Sequence, residues 1–242
     1  MEIILLFLSL KYWGEWAAIY NSLQKREKLI EQDVIKAIKK VNSNFLTLLD
    51  RNYCANLKTI YRPPFGIYYI GNFNITKLKT ISLIGKLDVT NKKYIDVIFQ
   101  KNIGIIWAYL TKKEIINVLH RYPKNNIFYH LDLAKNYFLL HKEKFTNPLI
   151  KNVFISEIWE TNSSIDYSQQ INERLFCGIS KKILIINDIS ERNISSLANF
   201  ANSEEISVNI LKNVYSKKIK RFKNIKKLNV VENLEQIKTL LE

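Results

Sequence analysis

The sequence of this 242-residue chain predicts an α/β fold, a mostly parallel sheet covered by helices on both faces. From residue 80 onward, apolar runs of strand length recur: Thr80–Ile84, Ile103–Tyr109, Asn126–Leu131, Val153–Ser156, Lys182–Asn187, Ile206–Ile210 and Leu228–Val231. Amphipathic stretches of helical period fit between most of them. The runs are nearly all apolar rather than alternating, which marks strands buried on both faces. Strands alternating with helices build parallel sheets, so residues 80–242 read as an extended Rossmann-like, doubly wound domain.

Before that domain, residues 1–51 read as helical. Leu5, Leu6, Leu8 and Leu10, then Trp13, Trp16, Ala17 and Tyr20, recur at near-helical spacing, and Gly14 splits them into two short helices. Asp33, Val34, Ile35, Ile38, Val41, Phe45, Leu48 and Leu49 mark a third helix with Asp33 near its start. This makes a small N-terminal helical appendage. Residues 52–79 change character. Arg62-Pro63-Pro64-Phe65 breaks any helix, and Ile67-Tyr68-Tyr69-Ile70 is β-prone up to Gly71. The expectation is a linker ending in a short edge strand. In the main domain the expected helices are Tyr94–Gln100, Lys112–His120, Ala134–Lys144, Gln169–Ile179, Ser195–Ala201 and Leu234–Leu241. Sheets of this class bind ligands at the carboxyl ends of their strands, near the point where strand order reverses. Function is therefore expected in loops 85–92, 107–113, 157–174 and 187–195.

Composition narrows the class. Hydrophobic residues at 47% can fill a core, which excludes a disordered chain. Lys and Arg total 37 against 22 Asp and Glu, a net charge of +15. Such a surface attracts polyanions, with nucleic acid the first candidate and an anionic membrane surface the second. The two cysteines, Cys54 and Cys177, have no CxxC spacing, so a disulfide scaffold or structural zinc is not expected. They read as small buried side chains in a reduced compartment. The apolar start, Met1 to Leu10, lacks a basic n-region and a cleavage site, and is too short to span a bilayer. It reads as the first buried helix of a cytoplasmic protein.

The motifs of common catalytic and cofactor sites are missing. There is no G-x-x-x-x-G-K-[ST], G-x-G-x-x-G, H-E-x-x-H or G-x-S-x-G. With six glycines in all, and Gly85 the sole glycine after the first core strand, no glycine-cradled cofactor is expected. His120, His130 and His141 read as isolated surface or helix-end residues. Cys177 sits in an apolar helix pattern and reads as buried. Glu157 and Glu160, after the fourth strand, form a carboxylate pair placed either for acid–base work or for hydration alone. No cofactor, metal or catalytic residue is assigned.

A nucleic-acid groove needs phosphates neutralised along a track, with aromatic faces when the strand is single. Lys86, Lys92, Lys93, Lys112, Lys113, Arg174 and Arg192 all fall near strand carboxyl ends, with Trp107, Tyr109 and Trp159 on the same rim. Read separately, each lysine is either a phosphate contact or solvated surface, and Trp107 is either rim or core. The densest basic run, Lys217 to Lys227, carries Ile219, Phe222 and Ile225 at helical spacing. It reads as a solvated basic face, a second polyanion contact or a dimer edge.

Several collinear stretches resemble one family, DNA-processing protein A (DprA, also called Smf). Tyr53-Cys54-Ala55-Asn56-Leu57-Lys58-Thr59-Ile60, then Pro63-Pro64 and Ile67-Tyr68-Tyr69-Ile70-Gly71-Asn72, resembles the family's Y-P-x-x-L-x-x-I…P-P…L-Y-x-x-G-N. Ile81-Ser82-Leu83-Ile84-Gly85-Lys86-Leu87 resembles V-A-I-V-G-[ST]-R, and Val153-Phe154-Ile155-Ser156-Glu157 resembles a strand ending L-[IL]-S-E. Arg174-Leu175-Phe176-Cys177-Gly178-Ile179-Ser180 running into Ile183–Ile186 is similar to R-I-I-A-G-L-S-D-x-[VL]-[VL]-V-V, and Glu191-Arg192 takes the place of [ER]-[KR] before S-G-S-L. The series covers roughly residues 50–240. The resemblance implies a protein without enzymatic activity that binds single-stranded DNA, forms a homodimer and loads the RecA recombinase. Its site residues would be Gly85, Lys86, Lys112, Lys113, Arg174 and Arg192.

The departures lie at the phosphate contacts. The family's [ST]-R after the glycine is Lys86-Leu87 here, a point charge without a bidentate fork. Its S-G-x-A-x-G-[IV]-D turn is replaced by Trp107-Ala108-Tyr109-Leu110-Thr111-Lys112-Lys113-Glu114. Two other readings stay open. One is a degenerate relative kept as a protein-interaction module. The other is a Rossmann-like nucleotide-processing hydrolase, whose G-G-x-G-T-x-x-E motif is absent.

Overall fold

A computed structural model describes residues 1–41, 43–71, 73, 77–108, 110–130, 151–159 and 174–242. Its centre is a mixed sheet in the order β1-β2-β6-β5-β4-β3-β7-β8-β9. The strands are β1 (Asn44–Thr47), β2 (Gly66–Ile70), β3 (Thr80–Ile84), β4 (Gly104–Ala108), β5 (Asn126–His130), β6 (Val153–Ser156), β7 (Ile183–Ile185), β8 (Val208–Leu211) and β9 (Leu228–Val231). From β6 across to β9 every pair is parallel, while β1 and β2 run antiparallel to their neighbours. The all-apolar runs are the inner strands. β3, β4 and β6 are buried along their whole length, so both faces of the sheet are covered there.

The helices are α1 (Glu2–Lys11), α2 (Trp16–Gln24), α3 (Glu31–Lys39), α4 (Ala55–Lys58), α5 (Lys92–Phe99), α6 (Lys112–Arg121), α7 (Glu191–Ser203), α8 (Lys212–Lys218) and α9 (Leu234–Leu241). Helical backbone also runs over 174–180. Starts follow cap chemistry. Thr111 and Glu114 form a capping box on α6, and the Ser190 and Asn233 side chains accept N–H groups in the first turns of α7 and α9. The expected helix Ala134–Lys144 and the first part of Gln169–Ile179 lie outside the described residues, as do Tyr109, His141 and Glu160.

Two expectations are corrected. The third helix ends at Lys39 instead of continuing to Leu49, and Asn44–Thr47 is a strand. Its register with β2, Phe45 opposite Tyr68 and Leu46 opposite Ile67, satisfies backbone groups that a longer helix would have bonded internally. Consequently β2 is no edge strand. It lies between β1 and β6, pairing Tyr68 with Ser156, and β1 takes the edge.

The N-terminal helices pack as a satellite around Phe7, Leu8 and Ile19. α1 is a short buried helix, as expected, with Leu5, Leu6, Phe7, Leu8 and Ser9 buried. Among the described residues no helix is long and apolar enough to cross a membrane. The Glu27 carboxylate closes the satellite. It accepts from Lys11 and Ser22 and, at 2.7 Å, from the Tyr12 hydroxyl. These donors, Lys11 first, hold its pKa down at about 2. A depressed carboxylate supports the fold above its unfolded pKa and stops doing so as pH falls through the folded one. The satellite should therefore loosen between about pH 4.5 and 2, read as a change in tryptophan emission.

Candidate nucleic-acid interface

Strand order places the candidate site. β3 is the first parallel strand in sequence. From it the chain steps outward through β4, β5 and β6, then returns to the other side of β3 as β7. The reversal lies between β3 and β7, so the loops after these two strands flank the crevice where ligands of such sheets bind.

These loops are tightly built. Gly85 ends β3 at φ +105°, and a Cβ there would lie 3.0 Å from the backbone N and O of Asn187. The close approach welds the two loops together. Asn91 is fully buried, and its amide donates to Lys86 O and Ile186 O, both at 3.0 Å. Asn187 donates to the Asp88 carboxylate at 2.6 Å and to Lys86 O at 3.2 Å. Asp88 also accepts from Thr90 and Asn91; burial alone would push its carboxyl up, but the bonds from Thr90, Asn91 and Asn187 together outweigh it and hold the group below its ordinary range. Trp107 anchors the arrangement from β4: its ring is buried, and Nε1 donates to Gly85 O at 2.7 Å. Trp107 is thus core. Trp107→Phe should strand a buried acceptor and cost about 1–3 kcal/mol, read from the urea midpoint.

Around this frame the expected residues are distributed unevenly. Lys86 follows Gly85 directly and is exposed. Lys112 and Lys113 open α6, which follows β4, the neighbour of β3, and Lys113 is exposed. Arg192 is exposed in the first turn of α7, just after β7. Lys93 is exposed on α5, while Lys92 pairs with Asp96. The topology therefore brings Gly85, Lys86, Lys112, Lys113 and Arg192 to one rim.

Arg174 is placed elsewhere. Its guanidinium lies against Glu157, after β6, with Nε donating to the two carboxylate oxygens at 2.9 and 2.8 Å and Nη2 also bonded to the carboxylate. Nη2 further donates to Gly14 O in the N-terminal satellite at 3.1 Å. The Arg174 side chain is 15% exposed and that of Glu157 is 1% exposed. This is a joint between satellite and sheet. It also settles where Glu157 points, which is at Arg174 and not into a solvated loop. Trp159 is likewise buried, against Tyr68.

The sequence reading missed Asp88, Asn91, Asn187 and Arg221. Asp88-Val89-Thr90-Asn91 before α5 is a local turn signal of the Asx type, and it was legible. Arg221 was not. It reaches from the turn Ile219–Phe222 to Asp188 at 3.5 Å and Glu191 at 3.1 Å. That contact brings the basic tail onto the same rim while Phe222 and Ile225 are buried beneath it. Lys220 and Lys223 remain exposed beside it. An open cleft of about 300 Å³ lies between the loop after β3 and α6. Its walls carry Lys92 and Arg121 but also Asp88 and Glu114, so it is not a purely cationic pocket. Cys54 and Cys177 are both buried thiols, and burial pushes Cys54 upward, away from reactivity. Among the described residues no three His, Cys, Asp or Glu side chains gather as a metal site.

No family model and no curated protein matches the chain. Solved structures do. DNA processing protein A from Streptococcus pneumoniae superposes with a TM-score of 0.60 at 12% identity, over 88% of this chain and 83% of that one. The protein of the same name from Helicobacter pylori, whose structure was described for its single-stranded DNA binding mode, gives 0.58 at 16% identity, over 83% of this chain and 97% of that one. At these identities the likeness is one of architecture: this chain has the DprA fold.

Proposed function

We propose that the chain binds single-stranded DNA along the rim of the β3/β7 switch point. The observation that carries the reading is the placement of Gly85, Lys86, Lys113 and Arg192 around one welded loop pair, in a fold like that of a single-stranded-DNA-binding protein. Lys86 and Lys113 act as point charges on phosphates, Lys112 adds to the same rim, and Arg192 adds a planar fork. Binding rather than catalysis is the activity. Delivery of the strand to RecA, homodimerisation and a cytoplasmic location complete the reading. Arg174 enters it as the joint that holds the satellite in place.

The test is fluorescence anisotropy of labelled poly-dT against a matched duplex, at low and moderate salt. Tighter binding of the single strand is expected, with a steep loss as salt rises. Removing one phosphate contact, as in Lys86→Ala or Arg192→Ala, should lower the salt slope by about 0.7. Equal, weak binding to both forms would overturn the reading. A second reading, a protein-interaction module on the same fold, is favoured by one observation: Arg174, which the resemblance assigns to DNA, is committed to Glu157.

A further inference from the structure

The N-terminal satellite carries an aromatic stack that the switch-point rim does not use. Trp16 on α2 lies between Tyr20 and Phe65, with ring centroids 4.8 and 5.4 Å away and planes tilted by 14° and 28°. Its Nε1 donates to Pro63 O at 3.1 Å, which fixes the ring. The Arg62 guanidinium lies 5.4 Å from the Trp16 ring centroid and 5.0 Å from that of Tyr61. Tyr61 is 68% exposed and Tyr20 41%. Arg62 holds φ +57° directly before a proline, where a glycine would sit at less cost. The strained backbone thus carries a cation laid over two rings at the surface.

An exposed stack of rings with a guanidinium among them has the chemistry of a stacking platform. Every nucleobase offers a π-face to such rings, and the cation meets the adjoining phosphate. The chain's charge of +15 suits the same ligand. We propose that Tyr20, Arg62 and Tyr61, backed by the Trp16 ring, bind the bases of a single-stranded nucleic acid, as the outer end of a track that begins at the switch-point rim. The inference rests on the function proposed above and adds a second contact region to it. The two regions are joined by α7. Tyr61 N donates to the Glu204 carboxylate at 2.8 Å, just past the end of α7, while Arg192 sits in its first turn. A helix of 13 residues spans about 20 Å. That is about six nucleotides at the 3.4 Å spacing of a stacked strand.

The test compares the wild type with Arg62→Gly and Tyr61→Ala, using a long poly-dT strand and one of about three nucleotides, too short to reach from the rim to the platform. Arg62→Gly removes the guanidinium but relieves the backbone, so the fold should hold, checked by the melting temperature. Both variants should bind the long strand about fivefold to a hundredfold more weakly. The short strand, held at the rim, should be bound nearly as before. Long-strand binding should also quench tryptophan emission in the wild type. If the wild type binds the long strand and both variants match it, the platform is wrong and the rim reading stands. If the wild type binds neither strand, the function itself is wrong and the platform falls with it.

Discussion

Arg174→Met is expected to lower the unfolding free energy by about 3–5 kcal/mol, the range seen when one partner of a buried ion pair is removed. Glu157 is 1% exposed and would lose the guanidinium that balances its charge. The variant also loses the bond from Nη2 to Gly14 O, so the satellite should detach first, visible as earlier proteolysis within residues 1–41. Burial pushes the Glu157 carboxyl up, and Arg174 is what opposes that push. In the variant the push is unopposed, so the folded state binds a proton that the unfolded state releases. A carboxyl raised in this way supports the fold below its unfolded pKa and loses that support as pH rises through the folded one. The defect should therefore be smaller near pH 5 than at pH 8 in denaturant titrations. Arg174→Met combined with Glu157→Leu should recover much of the loss, because removing both charges leaves no orphan. A single variant as stable as the wild type at pH 8 would show that the pair holds nothing together.

The second large effect belongs to Gly85. Gly85→Ala is expected to cost about 2–4 kcal/mol, from a backbone conformation that L residues avoid and from contact with Asn187. A Cβ at 3.0 Å meets backbone N and O atoms, which cannot rotate aside as a side-chain tip does. The loops after β3 and β7 must part, and Lys86 and Arg192 move with them. DNA affinity should fall further than for Lys86→Ala, although glycine contributes no charge. Urea unfolding and poly-dT anisotropy on the same preparation would separate the two losses. Unchanged affinity in a destabilised Gly85→Ala protein would mean that the loop pair does not set the spacing of the contacts.

Much of the sheet was legible, because burial on both faces writes itself as an unbroken apolar run. β3, β6 and β9 begin and end where the runs do. β1 was not legible, since Asn44–Thr47 is short and continues an apolar pattern with helical spacing. Only pairing with β2 decides its state. Of the site, the residues fixed by chain position, Gly85, Lys86, Lys113 and Arg192, fall together because they follow adjacent strands. Arg174 shows the limit of motif spacing: the resemblance puts it among the DNA contacts, and a carboxylate 17 residues earlier in the chain decides where it points. Arg221 shows the same limit from the other side. Its partners Asp188 and Glu191 are about 30 residues away, and only the packing of Phe222 and Ile225 delivers it to them.

The position of β2 has a consequence for synthesis. Tyr68 pairs with Ser156, 88 residues further along the chain. At 5–20 residues per second the ribosome takes roughly 4–18 s to make that distance. For that interval the β1–β2 hairpin has an open, apolar edge and no partner. β3 waits longer for β7, since Ser82 pairs with Ile183. Pairings this distant slow folding and leave nascent edges exposed to other chains. A nascent chain stalled before residue 150 should therefore be a strong chaperone client, and one released past residue 190 a weak one.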